Sequence, residues 1–293
     1  MEITAIVPSY NYGHMVGRAV DSALAQSYPL AEIIVVDDGS TDNTREALEH
    51  FGPPVRYLYQ SNRGLSASRN LGLREARTPW VAFLDADDAW LPDKIRFQVK
   101  ALEQKPGADM CYSGVRLTYE SGAPDDIVRP NPPEIMWPSF RYYNHVIVST
   151  VLARRELLLQ AGGFNESLTA CEDWDLWVRL GPKVVWALAP EPVTLYRVAQ
   201  SSMSANVQKM VDNTERIMES TLLSGLSGWP RWVFRRRIRS MALFSGFVTA
   251  RLNHQAGYRA WLWKSLLVWP SPFFIPLRHK TVVYELLVPN RSR

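Results

Sequence analysis

The sequence of 293 residues predicts an α/β fold, with a mostly parallel central sheet, flanking helices and a C-terminal helical segment. Three observations predict it. Short uninterrupted apolar runs alternate with helical periodicity through the first hundred residues, as expected of strands buried on both faces. Three polar clusters follow apolar runs directly, where ligands bind in open α/β sheets. From about Asn206 the pattern becomes helical, Trp-rich and basic.

The elements follow in order. Ile3 to Val7 is a short strand ending at Pro8, and Val16, Ala19, Val20, Ala23 and Leu24 mark one face of a helix. Glu32 to Val36 is a second strand, after which Ser40-Thr41-Asp42 offers capping chemistry for a helix over Asn43 to Phe51. Val55 to Tyr59 is a third strand and Leu65 to Ala76 a helix. Trp80 to Leu84 is a fourth strand, and Pro92 to Gln104 a helix with proline in its first turn. Gly122 to Pro138, rich in proline, reads as a long lid or acceptor loop. A strand over Val146 to Ala153, a helix, a Gly162-Gly163-Phe164 turn and a helix opening at Glu172 complete a first domain of residues 1–205. Residues 206–293 form the helical region.

Composition narrows the class. Apolar residues make up 46% and charged residues 21%, which suits a folded globular protein and excludes a disordered one. Cys111 and Cys171 form no spacing motif, so a reducing compartment is expected. The N-terminus lacks the basic and apolar regions of a signal peptide. The most apolar stretch, Trp261 to Leu277, is interrupted by Lys264, Pro270, Pro272 and Pro276, so no transmembrane helix is expected. These features point to a cytoplasmic protein.

The net charge of +4 hides a division. Between Ser220 and Tyr284 there are ten Lys or Arg and no Asp or Glu; from Ser220 onward the charge is +11, against −7 for the first 219 residues. The basic rear carries no nucleic-acid-binding motif. Its arginines and aromatics (Trp229, Trp232, Phe234, Trp261, Trp263, Trp269, Phe273, Phe274) suit a helix lying on an anionic membrane surface, or packing of the aromatics on the first domain with the arginines paired to its acids.

The polar clusters carry the chemistry. Asp85-Ala86-Asp87-Asp88 holds a D-x-D pair suited to Mg²⁺ or Mn²⁺, which takes one or two carboxylates and fills its other positions with phosphate and water. The same acids also suit a turn capping the helix at Leu91. Asp37-Asp38-Gly39-Ser40 places a carboxylate where it can accept the N–H of a pyrimidine ring, or serve a cap and turn. Glu172-Asp173 either complements a helix macrodipole or supplies a general base for an acceptor hydroxyl. Trp174 and Trp177 would then wall or stack on a sugar. Cys171 reads as a small buried residue.

These clusters, in this order, resemble glycosyltransferase family 2, the inverting transferases of the nucleotide-diphospho-sugar-binding (GT-A) fold. The matching segments are Val7 to Asn11, Val35 to Asp42, Asn62 to Gly72, Phe83 to Asp88 and Glu172 to Asp175, and the likeness covers roughly residues 1–200. The resemblance implies that Pro8 and Tyr10 line a nucleobase pocket, Asp38 bonds the base, Arg69 lies near the nucleotide and Asp85 touches the ribose. It implies that Asp87 binds the metal bridging the diphosphate and Asp173 is the catalytic base. The expected donor is a nucleotide diphosphate sugar, UDP-sugar favoured, and the acceptor a sugar or lipid-linked hydroxyl, with the enzyme peripheral on the inner face of the membrane. Many relatives place a metal-binding His after a Leu-Tyr-Arg segment; here Leu195-Tyr196-Arg197-Val198 continues with Ala199. The Gln-x-x-Arg-Trp signature of processive synthases is absent, so single-sugar addition is expected. Two other readings are a catalytically degenerate nucleotide-sugar binder, favoured by Ala199, and a sugar-phosphate nucleotidyltransferase. The latter usually has a Gly-rich, Arg-containing loop where Pro8 to Gly13 stands here.

Overall fold

Uninterrupted apolar strands need cover on both faces, and the helices that alternate with them provide it. The structure, a computed structural model, describes residues 1–120, 122, 124–199, 205–252, 255–271 and 281. The order begins with β1 (Ile3–Ser9), α1 (Val16–Leu24), β2 (Glu32–Asp37), α2 (Thr44–Leu48), β3 (Val55–Tyr59), α3 (Leu65–Glu75), β4 (Trp80–Phe83), β5 (Ala89–Trp90) and α4 (Lys94–Gln104). It continues with β6 (Met110–Tyr119), β7 (Asp126–Val128), α5 (Pro133–Phe140), β8 (Leu152–Arg154), α6 (Arg155–Gln160), α7 (Glu172–Leu180) and β9 (Trp186–Val198). Helices α8 (Val207–Ile217), α9 (Gly228–Leu252) and α10 (Arg259–Val268) follow.

The strands form one sheet in the order β3-β2-β1-β4-β8-β6-β9-β5, with β7 beside β6. The half built from β3, β2, β1 and β4 is parallel. Because β1 lies between β2 and β4, the carboxyl ends of all three meet at one edge. The other half is mixed: β8 runs antiparallel to β4 and β6, and β6 runs parallel to β9. A bulge at Gly114 lets these last two strands stay paired. A side chain there would sit 2.9 Å from the Glu191 carbonyl oxygen, so only glycine fits.

Three expectations need correction. Residues 146–153 are strand only at their end; Val148–Thr150 is a 3₁₀ turn. Its carbonyls are taken by side chains instead of a ladder: Trp90 Nε1 donates to Ser149 at 2.9 Å and Gln98 Nε2 to Thr150 at 2.7 Å. The stretch from Gly122 to Pro138 carries β7 and most of α5. The acids at 85–88 do not cap a helix at Leu91, because β5 intervenes and α4 starts at Lys94.

The chain divides into two compact units, residues 1–138 with 144–199, and residues 139–143 with 200–293. In the second, Asn206 caps α8 by accepting from the Lys209 N–H at 3.0 Å. Phe244, Phe247 and Leu262 pack α9 on α10, and Tyr142 rests against Phe234 at 5.2 Å between ring centroids. No helix among the described residues is long and apolar enough to cross a membrane. Ser201 to Ser204, Phe273, Phe274, Pro272 and Pro276 lie outside the described residues.

Helix α3 must approach β1 closely to bring its first turns to the sheet edge. Gly72 makes this possible: a Cβ there would lie 2.4 Å from Ile6 Cγ2, and Ile6 is fully buried. Gly72→Ala should lower unfolding stability by about 1–3 kcal/mol through overpacking. Equilibrium urea denaturation checks this; an unchanged midpoint would mean that α3 and β1 do not touch.

Candidate functional site

Loops at the carboxyl ends of β1 and β2 are stitched together by short polar side chains. Asn11, at φ 57, donates its N–H to Ser40 Oγ at 2.9 Å and accepts from the Thr41 N–H at 2.8 Å. Asp42 accepts from the Gly13 N–H at 2.9 Å and from the Thr44 N–H at 3.0 Å, a turn that leads into α2, whose cap position is Asn43. Asp37 accepts from the Ser40 N–H and from the Tyr57 hydroxyl. Asp38, 3% exposed, accepts from Gln60 at 2.6 Å, the Arg63 N–H at 2.9 Å and the Gly64 N–H at 2.8 Å. It therefore shapes the entrance to α3. Pro8 is buried at the end of β1, while Tyr10 just beyond is 46% exposed.

The turn after β4 concentrates negative charge. Asp85 and Asp87 are half-buried and Asp88 is buried. Burial, then the Asp85 charge, pushes the Asp87 carboxyl up to about 6, and the same two causes raise Asp88 well above the usual range. Tyr12, from the loop after β1, lies close enough that the Asp87 charge adds to burial in raising its phenol's pKa, and Arg197 on β9 places positive charge near Asp87. The Arg197 N–H donates to Asp88 Oδ1 at 3.0 Å, while buried Asp88 Oδ2 has no partner. Among the described residues no three His, Cys, Asp or Glu side chains converge as a closed metal site. A crowd of hard oxygens with raised proton affinity nevertheless fits a hard cation that takes one or two carboxylates. Ala199 is buried and supplies no ligand.

This turn is braced from below. Ser149 Oγ accepts the Asp85 N–H at 3.2 Å. Trp90, which holds the Ser149 carbonyl, stacks over the Lys94 ammonium at 4.0 Å. Lys94 is fully buried and bonded to Gln98 at 2.8 Å, and burial pulls its amine down to about 7.

Arg69 joins the turn to α7. Its guanidinium, 1% exposed, donates to Asp85 at 2.6 Å and to Glu172, and lies over the Phe164 ring at 5.3 Å. Burial opposes its charge, but Asp85 and Glu172 outweigh that effect and raise its pKa. Next to Glu172, Asp173 is half-buried, accepting from the Trp174 N–H at 2.7 Å and from Asn144 Nδ2 at 2.9 Å. Burial, then the Glu172 charge, pushes Asp173 up to about 7. Half-buried Cys171, at φ 60, turns the chain into α7. Arg179 anchors the helix through Asp175 at 2.8 Å and the Gly163 carbonyl.

The structure thus brings Arg69, Asp85, Asp87 and Asp173 into one connected cluster, with Asp38, Pro8 and Tyr10 along the same sheet edge. Trp174 and Trp177 are not available to a sugar: both are buried, and Trp177 donates to the Val146 carbonyl within an aromatic core. Tyr12, Asn144, Glu172 as the partner of Arg69, and Arg197 were not assigned these roles from sequence. Each acts across a long sequence separation, which local spacing does not encode.

The sequence matches glycosyl transferase family 2 over residues 4–155 and a glycosyltransferase-like family 2 over residues 137–258. The chain belongs to glycosyl transferase family 2. It is 29% identical over 262 residues, 88% of this chain and 97% of the relative, to the UDP-Glc:alpha-D-GlcNAc-diphosphoundecaprenol beta-1,3-glucosyltransferase WfaP of Escherichia coli. It is 30% identical over 218 residues, 72% of this chain and 85% of the relative, to the putative teichuronic acid biosynthesis glycosyltransferase TuaG of Bacillus subtilis. An uncharacterized glycosyltransferase of Rickettsia felis is 32% identical over 61% of this chain, which spans only 31% of that relative's length. The fold is shared with S. aureus TarS 1-349 (TM-score 0.62, 20% identity, covering 86% of this chain and 74% of that one). It is also shared with the Pyrobaculum calidifontis mannosyltransferase PcManGT, solved with GDP-Man and Mn²⁺ (TM-score 0.62, 20% identity, covering 95% and 83%).

Removing the Arg69 charge strands two carboxylates. Arg69→Met should cost about 3–5 kcal/mol of stability at pH 8, as for other broken buried pairs. Equilibrium urea denaturation of the variant against the wild type checks this; a loss below about 1 kcal/mol would mean that the two carboxylates do not depend on the cation.

Proposed function

We propose that this chain transfers a single sugar, with inversion, from a nucleoside diphosphate donor to a hydroxyl of a lipid-linked acceptor, in polysaccharide or glycolipid assembly. UDP-sugar is the favoured donor, Mg²⁺ or Mn²⁺ the cofactor, and the inner face of the membrane the place of work. The observation that carries this reading is the pair of proton-hungry carboxylates, Asp87 and Asp173, flanking the buried Arg69 bridge. Sequence relatives support the substrate class: WfaP is named for a diphosphoundecaprenol acceptor and TuaG for teichuronic acid; TarS, which shares the fold, has been solved with UDP-GlcNAc.

The residues divide the work. Pro8, Tyr10 and Asp38 bound the nucleobase pocket, Asp38 by fixing the loop Asn62 to Gly64 and offering its remaining lone pair to the base. Asp85, oriented by Arg69, faces the ribose. Asp87 is the protein ligand of the divalent ion, with Asp85 beside it and Tyr12 close by. When bound, that ion supplies Lewis-acid stabilisation of the charge that builds on the departing diphosphate. Asp173 takes the acceptor proton as the hydroxyl oxygen attacks the anomeric carbon from the side opposite the leaving group. Asn144 and the Trp174 N–H hold its carboxylate in place, and Glu172 and burial keep it basic near neutral pH.

Two outcomes follow. Asp173→Asn should lower transfer by at least about 100-fold while donor affinity persists. It should also raise stability at pH 8: a folded pKa above the unfolded value means that ionised Asp173 opposes folding above about pH 7. Transfer assays with calorimetric donor binding, and melting at pH 8, check both; normal turnover would move the base elsewhere. Asp87→Ala should abolish Mn²⁺-dependent binding of UDP with the fold retained. Equal affinity of the wild type for UDP in Mn²⁺ and in EDTA would end the metal assignment.

A further inference from the structure

Helix α9 carries two arginine stripes with different fates. Arg231, Arg235 and Arg239 recur every four residues and pair with acids of the preceding helical segment: Arg231 with Glu219 at 2.6 Å, Arg235 with Glu219 at 3.1 Å, Arg239 with Glu215 at 3.0 Å. Their charge is largely neutralised within the unit. The other stripe runs through Trp229, Trp232 and Arg236. The two indoles stack at 4.8 Å, yet Trp229 is 71% and Trp232 45% exposed. Arg236 lies over the Trp232 ring at 5.0 Å and donates to the Leu267 carbonyl at 3.4 Å, which ties the end of α10 to this stripe.

On α10, Trp263, Lys264 and Leu267 share an exposed face, with Leu267 79% exposed. Among the described residues neither Arg236 nor Lys264 has a carboxylate partner, and neither helix contains an Asp or Glu. Large apolar side chains on a monomer's surface normally stand singly. Here a stacked indole pair and a leucine are joined through one unpaired arginine.

We propose that Trp229, Trp232, Arg236, Trp263, Lys264 and Leu267 form the face by which this chain seats on an anionic lipid surface. The proposal rests on the peripheral-membrane reading above and assigns it to one face. Indoles prefer the headgroup level, where the ring is apolar and its N–H stays wet. Arg236 carries its guanidinium over the exposed Trp232 ring, and exposed Lys264 its ammonium over the half-buried Trp261 ring, so both charges sit at the level of the rings, where lipid phosphate attracts them. Neither helix is long and apolar enough to cross a membrane, so this face lies in the plane of the interface. The charge complementarity is local: the cations without a carboxylate partner among the described residues share the face of the exposed indoles and Leu267, and the paired arginines lie on the other stripe.

Flotation of the full chain tests this, with phosphatidylglycerol–phosphatidylcholine vesicles, pure phosphatidylcholine vesicles and a single-stranded oligonucleotide as probes. The wild type should float with the anionic vesicles and less as salt rises. Trp229→Ser with Trp232→Ser, and separately Leu267→Glu, should each weaken partitioning about tenfold or more, with melting curves confirming that the variants are folded. Arg236→Gln should weaken binding to anionic vesicles only, and Arg235→Gln, on the paired stripe, should leave it unchanged. Wild-type flotation with equal flotation of the Trp and Leu variants would overturn this face while leaving the peripheral reading intact. No flotation of the wild type on either vesicle would overturn both. Tight oligonucleotide binding lost in the same variants would reassign the face to nucleic acid.

Discussion

The buried Arg69 guanidinium is the constraint on which the site depends. It reaches Asp85 at the end of β4 and Glu172 at the start of α7, two elements far apart in sequence. A guanidinium taken out of water is costly unless its donors are met, and its fork geometry meets two carboxylates at once. Burial, then the neighbouring Glu172 charge, pushes the Asp173 carboxyl up to about 7. The same bridge ties the acidic turn after β4 to the start of α7, so the acids at 85–88 and the Glu172-Asp173 pair share one support.

Half of the sheet was legible because its strands are short, apolar and unbroken. β1 to β4 emerged at or within two residues of their predicted ends. The other half was hidden. β9 contains Pro190 and Pro192, which read as loop residues, and β6 pairs with it through a glycine bulge that no local signal announces. Conversely, Val146 to Ala153 reads as one strand, yet strand begins only at Leu152. Side chains from Trp90 and Gln98 capture the Ser149 and Thr150 carbonyls and curl the chain instead, so tertiary donors overrode propensity.

The motifs at Asp38, Asp85 and Asp87 were visible because loop-borne acids after buried strands are chemically conspicuous, and Asp173 because it opens a helix beside a second acid. Their environment was not visible. Asn144 reaches Asp173 and Tyr12 reaches Asp87 from loops that composition does not distinguish, and Trp174 and Trp177 look like a sugar platform until the core claims them. The basic rear shows the same limit. Sequence counts ten cations between Ser220 and Tyr284, but only packing shows that Arg231, Arg235 and Arg239 already meet carboxylates while Arg236 and Lys264 do not. Composition reports how much charge a segment holds, and the fold decides where it is available.

The account stands most directly on the proton affinity of Asp173. Carbon-13 NMR of protein labelled at aspartate carboxyls, with the Asp173 resonance assigned by its loss in Asp173→Asn, reads that affinity without any assay of transfer. The account predicts a titration midpoint near 7, where burial and Glu172 place it. A midpoint in the ordinary carboxylate range, about 4, would contradict it and leave Asp173 as a helix-start acid with no role as a base.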